Sequence, residues 1–524
     1  MKHVKLLFFL FTVQIFTVNA QTHWVVFTDK EGTTFDPYAY FDAKAIERRV
    51  QMGYDLYHYS DFPVSSKYVN DVAQHTDSVS YASRWMNALS VWATPEQIQV
   101  VSGFPFVSEI IPIQQNYILC GWEDYESSFD TTLLTRQTLA MQGEQFRQQG
   151  IDGKGIRIAI FDGGFPGVDS HPAFEHIRTG NRIIKTYDFV KKSEFVYGYN
   201  AHGTMVMSVI GGIYDGKPMG LATGAEFLLA RTEKNSEPYS EEVNWAAALE
   251  WADQNGADIV NSSLGYTYHR YFPYEMNGQT AFVSRIANTA ASKGILVVNA
   301  AGNEGDNDWK IIGAPADADG ILTVGGINPN TDYKISFSSI GPTTDLRRKP
   351  DVSAYGQTIV AGKKGIKSAF GTSFASPLVA GFAACGKQLH PDADAMLLKQ
   401  YIQQSGLLYP HYDYGHGYGI PQASKIIRLN SPMPDKNFEI TEENEQLNIK
   451  FTKDTFSSED YNLIGTYESY LFYAWQDANH VITEWGVIQI TEQEFVIERS
   501  ANSTSATSLS LHFKGYTEVI EFNK

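Results

Sequence analysis

Cysteine is almost absent: Cys120 and Cys385 are the two thiols in 524 residues. Two thiols cannot build a disulfide framework, so the fold must be held by its cores. Cys385 sits in an apolar helical stretch and reads as a small buried side chain rather than as the partner of Cys120. Basic charge is also short. Lys and Arg number 41 against 59 Asp and Glu, a formal net charge of -18. That excludes nucleic acid or an anionic membrane held by bulk electrostatics, and the acidity suits a soluble exported chain. Past the first twenty residues no run is long and apolar enough to span a bilayer. Heptads, solenoid repeats and low-complexity tracts are missing too.

What is there begins with "MKHVKLLFFLFTVQIFTVNA". Lys2 and Lys5 form a basic start, Leu6 to Val18 an apolar run too short for a span, and Val18-Asn19-Ala20 a small-residue cleavage site. Residues 1–20 therefore predict an export signal, and export to the surface or medium. Residues 21–115 predict a small α+β unit. "HWVVF", "RWMNALSVWA" and "FVSEIIPI" read as strands, and "DPYAYFDAKAIERRVQMG" as a helix ending at Gly53. "TPEQIQVVSGF" carries Thr94 at the N-cap, Pro95 at N1 and Gln97 at N3. Residues 116–138, acidic and rich in Ser and Thr, read as a linker.

Residues 139–427 change character. Short apolar runs such as "IRIAIFD", "EFLLART", "ADIVNSS", "ILVVNAAG" and "ILTVGGI" alternate with helical stretches. The pattern predicts an α/β, doubly wound, mostly parallel sheet, with ligand sites beyond the carboxyl ends of its strands. Residues 432–524 alternate apolar and polar positions and predict an antiparallel, β-sandwich-like domain. Trp475 and Trp485 read there as packing residues, and no motif gives the domain a chemistry.

Hydrolysis of an amide by a serine needs a hydroxyl, an imidazole, a carboxylate to orient it and donors for an oxyanion. Asp162 ends "IRIAIFDGG"; it is either a turn cap or a functional carboxylate at a strand edge. His202 in "YNAHGTMVMSVIGG" is either a helix-start residue or a base. Asn303 in "VVNAAGNEG" is either a turn residue or an amide donor. Ser373 in "FGTSFASPLVAG" is either a helix cap or a nucleophile, with Pro377 expected in the first turn.

Taken together and in this order, the four motifs resemble the subtilisin-like (subtilase, peptidase S8) serine endopeptidases. His202 follows Asp162 by 40 residues and Ser373 follows His202 by 171. The resemblance implies that Ser373 is the nucleophile, His202 the base, Asp162 its orienting carboxylate and Asn303 the oxyanion donor. It further implies that Ser263, Leu264 and Gly265 in "NSSLG" form one wall of the substrate pocket, Ala301 and Gly302 the other, and Gly313 the floor. A cis bond between Ala314 and Pro315 is expected there. Residues 21–115 resemble the family's propeptides, which act as intramolecular inhibitor and chaperone, so the chain would be a self-processing zymogen cut within the linker. Protein or peptide substrates follow, with no nucleic-acid partner and no membrane span after signal removal.

This sequence departs from the family at Gly163, Met205 and Phe374, none of them a reacting group. No carboxylate is placed in sequence to demand Lys or Arg at P1, so a broad apolar or aromatic preference is expected. No cofactor is required. Structural calcium has candidate ligands in Asp306, Asp308, Asp317 and Asp319, but these read as a solvated acidic loop. The competing reading is a non-catalytic subtilase-like binding or adhesion protein that works through its C-terminal domain.

Overall fold

The computed structural model describes residues 20–113, 130–234, 240–268, 270–429, 432, 434–443, 446–452, 467–498 and 506–522. The expected export signal, Cys120 and most of the expected linker lie outside these residues. The end of that linker does not read as one: Asp130 caps a helix, Thr131–Leu139, by accepting the N–H groups of Thr132 and Leu133.

The chain divides into two compact units. One comprises 1–34 and 63–114, the other 35–62 and 115–524. The first holds an antiparallel sheet in which Gln21–Phe27 lies between Ala88–Ala93 and Val107–Pro112, with Ser78–Ser83 at the edge. Helices Ser66–Ala73 and Pro95–Ser102 complete a β-α-β-β-α-β arrangement. Its core is Val25, Phe27, Val72, Leu89 and Val91, with Tyr68 stacked on Phe106 at 4.2 Å. The helix start at Thr94 closes as a full capping box with Gln97. The single helix expected from "DPYAYFDAKAIERRVQMG" is instead two, Pro37–Tyr40 and Ala43–Gln51. Asp36 and Asp42 each accept a backbone N–H as N-cap, so a second cap interrupts the run.

In the second unit seven strands make one wholly parallel sheet. They are β1 (Arg157–Asp162), β2 (Ile183–Asp188), β3 (Glu226–Arg231), β4 (Ile259–Ser262), β5 (Leu296–Ala300), β6 (Leu322–Ile327) and β7 (Val352–Tyr355). Their order is β7-β6-β5-β4-β1-β3-β2. Nearly every residue of β1, β4, β5, β6 and β7 is buried, which is why these runs carry no alternation. Helices α1 (His202–Gly211), α2 (Ser240–Gln254), α3 (Phe282–Ser292) and α4 (Thr372–Leu389) flank the sheet. After β1 the chain builds β2 and β3 on one side, then crosses to β4 and builds outward on the other. The order therefore reverses between β1 and β4, where a crevice opens at the strand ends.

The C-terminal region forms two antiparallel sheets around Phe438, Ile449, Phe451, Leu471, Trp475, Leu509, Leu511 and Phe513. It meets the segment 411–418 through an aromatic seam of Tyr412, Tyr414 and Trp485. A Cβ at Gly415 would stand 2.3 Å from the Trp485 ring, so both tryptophans singled out in the sequence are used in packing.

Candidate active site

Asp162 is the last residue of β1 and is 1% exposed. A buried carboxylate needs partners. One oxygen, Oδ1, accepts the Gly163 N–H at 2.8 Å; the other, Oδ2, bonds His202 Nδ1 at 2.8 Å. His202 is the first residue of α1, its own N–H held by Asn200 Oδ1 at 2.9 Å. The two meet because Gly203 has no side chain. A Cβ there would lie 2.5 Å from the Gly164 carbonyl and 2.9 Å from Asp162 Cβ.

Ser373 is the second residue of α4 and is 9% exposed. The N-cap of this helix is Gly371, at φ 140°, and supplies no capping side chain. Pro377 sits in the second turn, not the first. It lacks the N–H that would bond the Ser373 carbonyl, and that carbonyl instead accepts the Ser263 hydroxyl at 2.9 Å. The Ser373 hydroxyl donates to the Ser263 carbonyl at 3.0 Å. Ser376 and Asn261 tie the same two elements together. Phe374 packs at a tilt against the His202 ring, 5.3 Å between centroids, so the starts of α1 and α4 adjoin.

Asn303, exposed three residues past β5, is oriented by Thr372. Its Oδ1 accepts both the N–H and the hydroxyl of Thr372 at 2.9 Å. The amide Nδ2 is thereby turned toward Gly371. A Cβ built on Gly371 would be 3.6 Å from Asn303 Nδ2 and 3.6 Å from the Ser373 nitrogen. Two donors thus converge on one small space that stays open because residue 371 is glycine. Such a space suits a developing oxyanion.

A cleft of about 150 Å³ adjoins this point. Ser263, Leu264, Gly265, Gly302 and Gly313 line it. Ala301 does not: it faces inward on Ile312 and Ala316, and Ala300 lines the cleft instead. Gly313 is required by close approach, since a Cβ would lie 2.6 Å from Thr267 Cγ2. The floor is joined to the wall by reciprocal backbone bonds between Tyr266 and Ala314, and the Ala314–Pro315 bond is cis.

Three cleft carboxylates were not anticipated: Glu233, Glu241 and Glu304. Glu304 follows the motif asparagine directly and folds back beside Gly302, where it accepts the Ser339 hydroxyl at 3.1 Å. Glu241, 2% exposed, lies 3.6 Å from Arg270. Its neighbour Glu242 has its carboxyl pulled up by burial, against the opposing charge of Arg270. Arg231 was also missed. It ends β3, pairs with Asp188 at the end of β2 (3.0 Å) and donates to the Gly163 carbonyl at 3.0 Å, so it braces the loop behind Asp162. Opposite charges ending two adjacent strands were the available signal.

The aspartates considered for calcium are dispersed in role. Asp317 is buried and accepts from Gly278 N–H and Ser284 Oγ, whereas Asp306, Asp308 and Asp319 are exposed. Cys385 is a buried free thiol whose pKa burial raises.

Residues 153–419 match the subtilase family, peptidase S8, and residues 22–119 match the peptidase S8 propeptide domain of Bacteroidota. Subtilisin DY of Bacillus licheniformis is 29% identical over 282 residues, 53% of this chain and 93% of the relative. Subtilisin NAT of Bacillus subtilis subsp. natto is 31% identical over 247 residues, 46% of this chain and 58% of the relative. The thermostable alkaline protease of Halalkalibacterium halodurans is 29% identical over 264 residues, 50% of this chain and 65% of the relative. With half its length in the family's catalytic domain and a family propeptide ahead of it, the chain belongs to the subtilases, as a serine endopeptidase made in zymogen form.

Proposed function

We propose that the chain is exported and hydrolyses peptide bonds with Ser373, His202 and Asp162 as its triad. The observation that carries this reading is the 2.8 Å bond from His202 Nδ1 to Asp162 Oδ2 at the point where strand order reverses. That bond fixes the imidazole so that Nε2 takes the proton of Ser373 Oγ. The hydroxyl, resting on the Ser263 carbonyl, rotates toward the imidazole as substrate enters. Oγ bonds to the scissile carbonyl carbon and the carbonyl electron pair moves onto oxygen. That oxygen occupies the space over Gly371, against Asn303 Nδ2 and the Ser373 N–H. Collapse expels the amine, which leaves with the proton from His202, and water repeats the sequence on the acyl-enzyme. The chemistry needs no cofactor.

Glu304 at the pocket wall widens the expected apolar preference at P1 to include Lys and Arg. Peptides with Phe, Leu and Arg at P1 should all be cleaved, and Glu304→Gln should lower the rate for Arg-P1 alone; rejection of Arg-P1 contradicts this pocket reading. The triad reading is tested by comparing wild type with Ser373→Ala. Wild type should hydrolyse casein and shorten its own N-terminus, whereas folded Ser373→Ala should do neither. Equal activity in the two chains would refute it.

A further inference from the structure

The propeptide match spans residues 22–119, yet residues 35–62 are not part of the compact N-terminal unit. They interrupt its first strand-to-helix connection, between Gln21–Phe27 and Ser66–Ala73, which is far longer than such connections usually are. They belong instead to the unit that carries the active site.

What binds them there is a closed group of charges. Arg48 and Arg49, on the helix Ala43–Gln51, are 4% and 1% exposed and both pair with Asp253 in α2, Arg49 at 2.5 Å. Arg49 also pairs with Asp61 at 3.1 Å, and Lys293, just past α3, reaches Asp61 at 2.9 Å and Ser60 Oγ at 2.7 Å. Asp61 and Asp253 are each 1% exposed. Phe41 lies under the Arg49 guanidinium at 4.1 Å. At the rim Lys44 pairs with Asp258 and Arg157 with Asp42, both at 3.1 Å.

Shape complements charge. Asp42 N–H donates to the Gln254 carbonyl at 2.8 Å, and Gln254 Nε2 to the Tyr40 carbonyl at 3.0 Å. Gly256 and Gly294 both have positive φ and both make room: a Cβ would lie 2.9 Å from Lys44 Cβ at the first and 2.8 Å from the Tyr54 ring at the second. Paired charges shut from water hold register and slow separation, because no water replaces a partner until the whole face opens.

We propose that residues 35–62 are a lasting structural part of the catalytic unit, kept noncovalently after activation while hydrolysis of a peptide bond on each side of the segment, and of one between the propeptide and the catalytic domain, releases the rest of the propeptide. This rests on the zymogen reading. The segment closes the end of α2 opposite Glu241 in the cleft, so it serves the folded enzyme and not inhibition.

Two measurements test it, one of them independent of any activity. In full-length Ser373→Ala, hydrogen exchange at the amides of Ala43–Gln51 should follow α2 and α3; exchange in step with the strands Gln21–Phe27 and Ala88–Ala93 would overturn the proposal, whether or not the chain is a peptidase. In self-processed wild type, active enzyme isolated by gel filtration should contain, by denaturing mass spectrometry, one peptide spanning 43–51 per catalytic chain. Arg48→Met/Arg49→Met should lose that peptide. Active enzyme of undiminished thermal stability without any residue of 35–62 would overturn the proposal. If the two units exchange alike, or the double variant does not fold, the peptide content of active wild type decides.

Discussion

In the proposed mechanism Gly371 is the residue on which the oxyanion geometry turns. Asn303 Nδ2 and the Ser373 nitrogen converge where its side chain would be. Gly371→Ala should place a methyl group in that space, at a φ of 140° that only glycine holds without strain. Loss of one oxyanion donor costs roughly 10²–10³ in kcat, a magnitude that comes from subtilisin itself. We expect a kcat loss of about that size in both Asn303→Ala and Gly371→Ala, with KM little changed, read by steady-state hydrolysis of a peptide anilide. A Gly371→Ala enzyme of normal kcat would show that the oxyanion lies elsewhere. Asn303 and Ser373 stand out as candidates in the sequence because short motifs bracket them. The role of Thr372, which turns the Asn303 amide, was not: it depends on two segments 69 residues apart in sequence meeting through one side-chain oxygen. Ala301 was misread because motif adjacency to Gly302 does not say which way a side chain faces after a strand ends.

At the scale of elements, the strand ends do the positioning. Arg231 and Asp188 close β3 and β2, and Asp188 is fully buried. Removing the cation leaves that carboxylate without its ion-pair partner, a change that costs about 3–5 kcal/mol in buried sites. Arg231→Met in the Ser373→Ala background should therefore lower the denaturation free energy by about that amount; a change under about 1 kcal/mol would show that Asp188 is held by other groups. The alternation of apolar runs and helices made the parallel sheet legible, because buried strands have few other sequence forms. The break between Pro37–Tyr40 and Ala43–Gln51 was less so. Its apolar spacing continues through the break, and only the second aspartate cap marks it.

For the whole molecule, stability should depend on acid through the seam with the C-terminal sheets. His411 bonds Ser510 Oγ, and His512 bonds Thr517 Oγ1 and Tyr467 Oη; both imidazoles are buried, and Tyr467 is half-buried. Burial lowers His411 from 6.5 to about 4 and lowers His512 well below 6.5. As pH falls below 6.5 the unfolded chain takes up these protons and the folded chain does not, so stability present above 6.5 is lost progressively toward pH 4. His411 alone corresponds to roughly 3 kcal/mol. Asp332, beside Tyr467 and raised by burial, acts in the opposite sense. The urea midpoint of Ser373→Ala should fall between pH 7.5 and 5; a midpoint that rises would refute the sign. Neither this seam nor the attachment of 35–62 was legible in sequence, since both join segments far apart along the chain. The central claim, that Ser373 is the activated nucleophile, is tested most directly by treating the processed enzyme with a fluorophosphonate and mapping the adduct after trypsin. One adduct per chain on Ser373, in the peptide Ser368–Lys387 and absent from His202→Ala, is the predicted result; a folded enzyme that carries no adduct, or carries it on another residue, contradicts the account.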